Sequence, residues 1–314
     1  YLNSILKWAF LLLSFLFDIY TMGGLTWVQT LFYSPFAFIT ISRAMEKMDP
    51  TLEEAARISG ASPLRTLWDV TLPLMAPSIL AGGLLVFISA GSCFGIPAIV
   101  GMPANIEVMT TRIVTYVYMG DGKGIRDATA LAASLMVLAN GLLFAMTWML
   151  GRKEYTTISG KSTRPNIVEL RIWKWPVFFC VSFYALISVI IPLVSILITS
   201  LIGSLSKPIN LDNLTFESWK PVLTSSQYLE TIVNSLHYAT VTATLGTFIA
   251  IFIAYLLVKT NVKGRSVPDL LVTLGGATPS IVIALAMIIT FSGNFGLNLY
   301  STITILVVAY LVKY

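Results

Sequence analysis

The chain of 314 residues draws 56% of them from the apolar set and only 11% from Asp, Glu, Lys and Arg, less than half the charged share of a soluble domain. With a mean hydropathy of +0.82, a soluble enzyme is excluded and a polytopic membrane protein is expected. The net charge of +5 calls for no nucleic acid as a partner, because membrane topology itself places basic residues on cytoplasmic loops.

Residues 1–18 are apolar but short and interrupted by Lys7, which predicts an interfacial helix rather than a span. Uncharged runs then predict spans at 22–42, 78–100, 128–150, 176–202, 231–258 and 267–291, with a seventh starting at 301. The expected fold is therefore all-α, with about six full spans and a truncated seventh in the lipid bilayer. If the 43–77, 151–174 and 259–266 loops share one side, they bring 13 Lys/Arg to it, against 6 on the opposite loops. The positive-inside rule makes the first set cytoplasmic.

Between the first two spans lies AMEKMDPTLEEAARISGASPLRTLWDVTLPLMAPS, whose punctuation predicts two short helices at an angle. Asp49 is placed to N-cap a helix with Pro50 at its first position, Glu53 and Glu54 lie near the positive end of its dipole, and Gly60 supplies the left-handed residue that stops it. Ser62 and Pro63 repeat the device, starting a second helix that runs to about Val70 and is stopped by Pro73. Leu52, Ala55, Ala56 and Ser59 recur at helical spacing and form a stripe on which another backbone could approach closely. Helices this short need packing to be stable, against either a partner or the protein's own spans.

Further along, breaking and polar residues interrupt the spans: Ser89, Gly91, Ser92 and Gly95 in the second, Asn140 in the third, and Gly275-Gly276-Ala277-Thr278-Pro279-Ser280 in the sixth, where a kink is expected. They read either as a pathway and its hinges or as close helix packing. No Asp or Glu falls at the centre of a span, which weakens ion-coupled transport. Cys93 and Cys180 lie in apolar runs and His237 is the single histidine, so neither a disulfide framework, a metal site nor a resident cofactor is expected.

Residues 151–174 mix charge, Ser/Thr, Gly and Pro and read as a cytoplasmic linker between a module over 1–150 and a second over 175–314. An internal repeat agrees: FLFDIYTMGGLTWVQTLFYS from Phe15 resembles FGLNLYSTITILVVAYLVKY from Phe295 at an offset of 280, with Ile19 on Leu299 and Tyr20 on Tyr300. Read this way, the chain holds the C-terminal part of one half and the N-terminal part of a second, a fragment of a longer two-half transporter.

Glu54-Ala55-Ala56, three residues, Gly60, nine residues, then Val70-Thr71-Leu72-Pro73 resembles the Glu-Ala-Ala signature of permease subunits in ATP-binding-cassette importers that depend on a binding protein, with Val70 in place of Ile. The resemblance implies that this loop couples to a cytoplasmic ABC ATPase dimer, with Glu54, Ala55, Ala56 and Gly60 docking and Leu72 and Pro73 aiming the chain back into the membrane. It also implies an extracytoplasmic substrate-binding protein seated on the outer loops, and residence in a bacterial plasma (inner) membrane. The chain carries no Gly-x4-Gly-Lys-Ser/Thr loop of its own, so hydrolysis falls to a partner. LEEAARISGAS from Leu52, FGIPAIVGMPANIEVMTTRIVTYV from Phe94 and PSIVIALAMIITFSGNFGLNLYSTITILVVAYLVKY from Pro279 look like the ferric-iron branch, in which two permease halves are fused. Thiamine, phosphonate, polyamine and sulfate permeases share the frame, and an ion-coupled carrier or a non-transporting scaffold subunit are the readings from other classes. A second Glu-Ala-Ala loop is expected roughly 20 residues beyond Tyr314.

Overall fold

The computed structural model describes residues 18–151, 170–203, 213–261, 263–264, 266–293 and 296–313. The expected interfacial helix lies outside these residues apart from Asp18, as does 152–169 of the expected linker. Among the described residues the chain is helical, and its extended pairing is limited to the isolated bridges Ile202–Leu214 and Ser292–Asn298. It divides into two units: residues 1–167, 266–300 and 312–314 form one, and 168–265 with 301–311 the other.

The first unit begins with α1 (Met22–Glu46), capped by Thr21, whose hydroxyl accepts the Gly24 N–H at 3.0 Å. The short helix pair of the 43–77 loop follows as α2 (Pro50–Ile58) and the start of α3 (Pro63–Gly91), then α4 (Met109–Met119), α5 (Gly122–Gly151), and the bent pair α9 (Ser266–Ala277) and α10 (Ser280–Phe291). Buried Ile113 of α4, Ala128, Ala132 and Leu135 of α5, and Val282 and Leu285 of α10 make its core. Small residues on α5 let the helices approach, and the branched side chains on either side fill the space. Buried Gly82 of α3 sits against Ala37 of α1. α4 was not expected, since 101–127 reads as an external loop. Its Met109, Ile113, Tyr116 and Val117, spaced four, three and one apart, form the face turned to that core.

The second unit holds α6 (Arg171–Leu201), α7 (Trp219–Thr224), α8 (Ser226–Lys259) and, from Ile303 to Leu311, most of α11 (Ile303–Lys313). The end of α6 is tied to the following loop by Thr215 N–H to Leu201 C=O at 2.7 Å and Trp219 Nε1–H to Ser200 Oγ at 3.2 Å. Stacked rings of Tyr238 and Tyr310, 5.7 Å apart, join α8 to α11.

Among the described residues, four helices are long and apolar enough to cross a bilayer, α3, Gly122–Ala145 within α5, α6 and α8, and the bent pair α9–α10 makes a fifth if it is one span. The expected span at 22–42 is α1, where hydroxyls dilute the apolar run. Those of Thr26, Thr30 and Thr40 donate back to the carbonyls of Met22, Thr26 and Phe36, which satisfies them without water. The expected kink in the sixth span is a turn of 109° between α9 and α10.

The expected second span at 78–100 and the expected helix stop at Pro73 need correction. α3 runs unbroken from Pro63 to Gly91, through Pro73. A wide, π-helical turn over Leu67–Thr71 makes this possible, with the Leu72 N–H reaching the Leu67 carbonyl five residues back. A proline ring inside a regular helix collides with the carbonyl four residues before it. Widening the turn just upstream moves that carbonyl aside. The same arrangement occurs twice more: Leu186–Ile190 precedes Ile191-Pro192, and Pro97–Gly101 precedes Met102-Pro103.

Two positions paired by the expected repeat make similar local turns. Tyr20 N–H donates to Asp18 Oδ1 at 2.9 Å and Tyr300 N–H to Asn298 Oδ1 at 3.3 Å, so equivalent residues 280 positions apart make the same side-chain turn ahead of a helix.

Candidate coupling loop and cleft

The loop between α1 and α3 is built by local chemistry. Asp49 Oδ1 accepts the Thr51 N–H at 2.9 Å, and that bond holds the carboxyl below its ordinary range. At the other end of α2, Gly60 takes φ +87°, its N–H meets the Arg57 carbonyl at 2.9 Å, and the Ala61 N–H reaches the Ala56 carbonyl at 3.0 Å. This paired closure requires a left-handed residue at position 60. Ser62 Oγ then accepts the Arg65 N–H at 3.3 Å and starts α3 with Pro63.

A longer-range bond fixes the angle of the pair. Buried Thr71 donates its hydroxyl to Glu53 Oε1 at 2.6 Å, joining the first turn of α2 to the wide turn of α3. From sequence, Glu53 has only a place near the helix dipole and Thr71 only a place within the signature, with no bond between them expected. The tether leaves Glu54 and Ala55 exposed and Ala56 half-buried. Ile58, Leu64 and Trp68 are 88, 70 and 67% exposed, so α2 and the start of α3 present an apolar surface. Arg57, also passed over, keeps a buried Nε without a hydrogen-bond partner among the described residues.

Thr71→Val removes the hydroxyl and keeps the shape. A bond of this kind is worth about 1 kcal/mol net, so trypsin cleavage at Arg57 and Arg65 in inverted membrane vesicles should run roughly fivefold faster than in the wild type. Equal rates would mean that the tether does not hold the pair.

The expected pathway residues are only partly brought together. Ser89 of α3, Ser92 just past its end and Gly276 of α9 line one cleft of about 690 Å³ in the first unit, with Tyr33, Cys93 and Lys313. Ser92 donates its hydroxyl to the Ile88 carbonyl at 2.6 Å. Lys313, which sequence reasoning left out, donates to the carbonyls of Gly276 at 2.8 Å and Thr278 at 2.7 Å, the orphan acceptors at the C-terminal end of α9. Gly275 admits the end of α11: a Cβ there would collide with the Val312 carbonyl.

The remaining residues sit elsewhere. Asn140 lines a second cavity, of about 520 Å³, with Asp269 and Thr273. Its Nδ2 donates to the Met136 carbonyl at 3.0 Å and to Thr278 Oγ1 at 3.4 Å, while its Oδ1 is buried with no partner among the described residues. Pro279 is fully buried at the turn, and Gly95 is not among the residues lining either cavity. Close packing thus accounts for Gly275 and Pro279, and a cleft for Ser89, Ser92 and Gly276.

The sequence matches the family described as binding-protein-dependent transport system inner membrane component over residues 4–208. It is 27% identical over 315 residues to the Fe(3+)-transport system permease protein FbpB 2 of Haemophilus influenzae, covering 98% of this chain and 57% of that one. To the ferric transport system permease protein FbpB of Actinobacillus pleuropneumoniae it is 24% identical over 280 residues, 87% of this chain and 39% of that one. To the spermidine/putrescine transport system permease protein PotB of Escherichia coli it is 28% identical over 152 residues, 48% and 54% of the two chains. The chain spans about half the length of the curated relatives it matches. No solved structure matches.

Proposed function

Because the chain belongs to the family of binding-protein-dependent transport system inner membrane components, and is a multi-pass membrane permease, we propose that it forms part of an ABC importer permease that moves ferric iron across the plasma membrane by ATP-driven alternating access. The observation that carries the coupling is the bent pair α2–α3, closed by Gly60 and tethered by Glu53–Thr71. It is a rigid knob of the kind that passes a domain closure to the spans as a rigid body. In this reading the knob faces the cytoplasm and inserts into an ATPase subunit, with Glu54, Ala55, Ala56 and Gly60 at the contact and Leu72 and Pro73 continuing the helix into the membrane. Two such subunits close beneath the permease, hydrolysis is theirs, and an extracytoplasmic binding protein delivers the cargo to the outer loops.

The modules over 1–150 and 175–314 are the end of one half and the start of another. The matching turns at Asp18–Tyr20 and Asn298–Tyr300 support this assignment, which calls for a second Glu-Ala-Ala loop in the whole protein.

Iron is supported by the ferric permeases matched over most of the chain. A polyamine is the second reading, supported by the spermidine/putrescine permeases matched over about half of it. Uptake of radiolabelled ferric iron in iron-starved cells with and without the gene, with ATP depletion as control and spermidine and thiamine as comparison substrates, separates them. Deletion should abolish ATP-dependent iron uptake and leave the others unchanged. Iron uptake that survives deletion would refute the iron assignment, and loss of spermidine uptake would favour the second reading.

A further inference from the structure

We propose that Lys313 sets the charge preference of the cleft, making it a compartment that admits anionic or neutral solutes and repels free cations. The inference rests on taking this cleft as part of the transport route. Lys313 is the one charged side chain among the residues lining it; Tyr33, Cys93, Ser89 and Ser92 are uncharged. A lysine held among apolar helices costs several kcal/mol unless its ammonium is paired. Among the described residues the pairing is with two backbone carbonyls, Gly276 at 2.8 Å and Thr278 at 2.7 Å, and not with a carboxylate.

That choice of partner decides the sign. A carboxylate would cancel the charge, whereas a helix C-terminus carries roughly half an elementary charge of opposite sign. A net positive charge therefore remains at the break. The start of α10 adds to it: Ser280 lines the same cleft at the positive end of that helix, and its cap at Pro279 makes no side-chain hydrogen bond. The expected internal repeat pairs Lys313 with Tyr33, since the offset that superposes Tyr20 on Tyr300 superposes Tyr33 on Lys313. One half supplies a neutral ring and the other an ammonium to the same space.

For the cargo, a bare trivalent iron or a polyamine would meet repulsion at this point. Iron crosses here with its charge cancelled by anionic oxygen ligands, as a neutral or anionic chelate.

The native thiol of Cys93, half-buried and lining the same cleft, serves as the reporter. In the whole protein in membrane vesicles, with Cys93 as the only cysteine, it is modified by an anionic reagent, 2-sulfonatoethyl methanethiosulfonate, and by a cationic one, 2-(trimethylammonio)ethyl methanethiosulfonate. Both rates are normalised to those with free 2-mercaptoethanol. The normalised anionic-to-cationic ratio should exceed one in the wild type, fall about tenfold in Lys313→Gln, and be kept in Lys313→Arg. A wild-type ratio at or below one, a ratio unmoved by Lys313→Gln, or a thiol that neither reagent reaches would overturn the proposal. The wild-type ratio stands on its own if the Gln variant fails to fold. No cargo, ATP or partner enters the measurement, so a failed iron-uptake experiment leaves it intact, and its own failure leaves the importer assignment intact.

Discussion

Gly60→Pro should reduce ATP-driven uptake to background while leaving the protein inserted in the membrane at its normal level. The reason is backbone geometry rather than space. Nothing lies within 4 Å of where a Cβ would stand at Gly60, but φ there is +87°, and proline is locked near −65°. Proline also lacks the N–H that closes α2 on the Arg57 carbonyl. The chain must then leave α2 in another direction, at a cost of about 3 kcal/mol or more if the native turn were kept, and the knob loses its shape. Gly60→Ala retains the N–H and pays only the left-handed penalty of about 1–2 kcal/mol, so it should fall between. Glu54→Arg leaves the fold untouched, since Glu54 is exposed, and should lower ATPase co-purification and uptake together by reversing the charge at the contact. Wild-type uptake in both Gly60→Pro and Glu54→Arg would remove the loop from the coupling mechanism.

The second large effect is expected at the break between α9 and α10, where two adjacent glycines should behave in opposite ways. A Cβ on Gly275 meets the Val312 carbonyl, whereas nothing lies within 4 Å of one on Gly276. Gly275→Val therefore displaces the end of α11 and, with it, the Lys313 ammonium from its two carbonyls. Overpacking of this kind costs about 1–3 kcal/mol. The variant should unfold at a lower temperature in detergent and transport at least tenfold more slowly, and Gly276→Ala should stay close to wild type in both. Equal tolerance at the two positions would mean that Val312 does not pack on the break.

The features legible in the sequence were those written in local chemistry. Asp49-Pro50, Gly60 and Ser62-Pro63 specify caps and a turn within a few residues of themselves, and caps act over that range. Gly275 and Pro279 likewise announced a break. What escaped was either contextual or distant. Pro73 was read as a stop because nothing in its neighbours reveals that the preceding turn widens to receive its ring. The Glu53–Thr71 bond joins residues 18 positions apart, beyond any helical period. Lys313 lies 35 and 37 positions from the carbonyls it meets, and only the fold turns it to the end of α9. α4 was missed through its polar composition, although Met109, Ile113 and Tyr116 carried a helical spacing.

The continuity of α3 through Pro73 has a mechanical meaning. From Pro63, beside the Gly60 turn, to Ser89 at the cleft is one rod of about 39 Å. A helix stopped at Pro73 would have put a joint in the middle, and motion of the knob would have been absorbed there. Without one, the proposed coupling would use the rod as a lever: a tilt of about 10° at the knob would swing the far end by about 7 Å, more than the width of a water molecule, with Ser89 carried along as part of the arm.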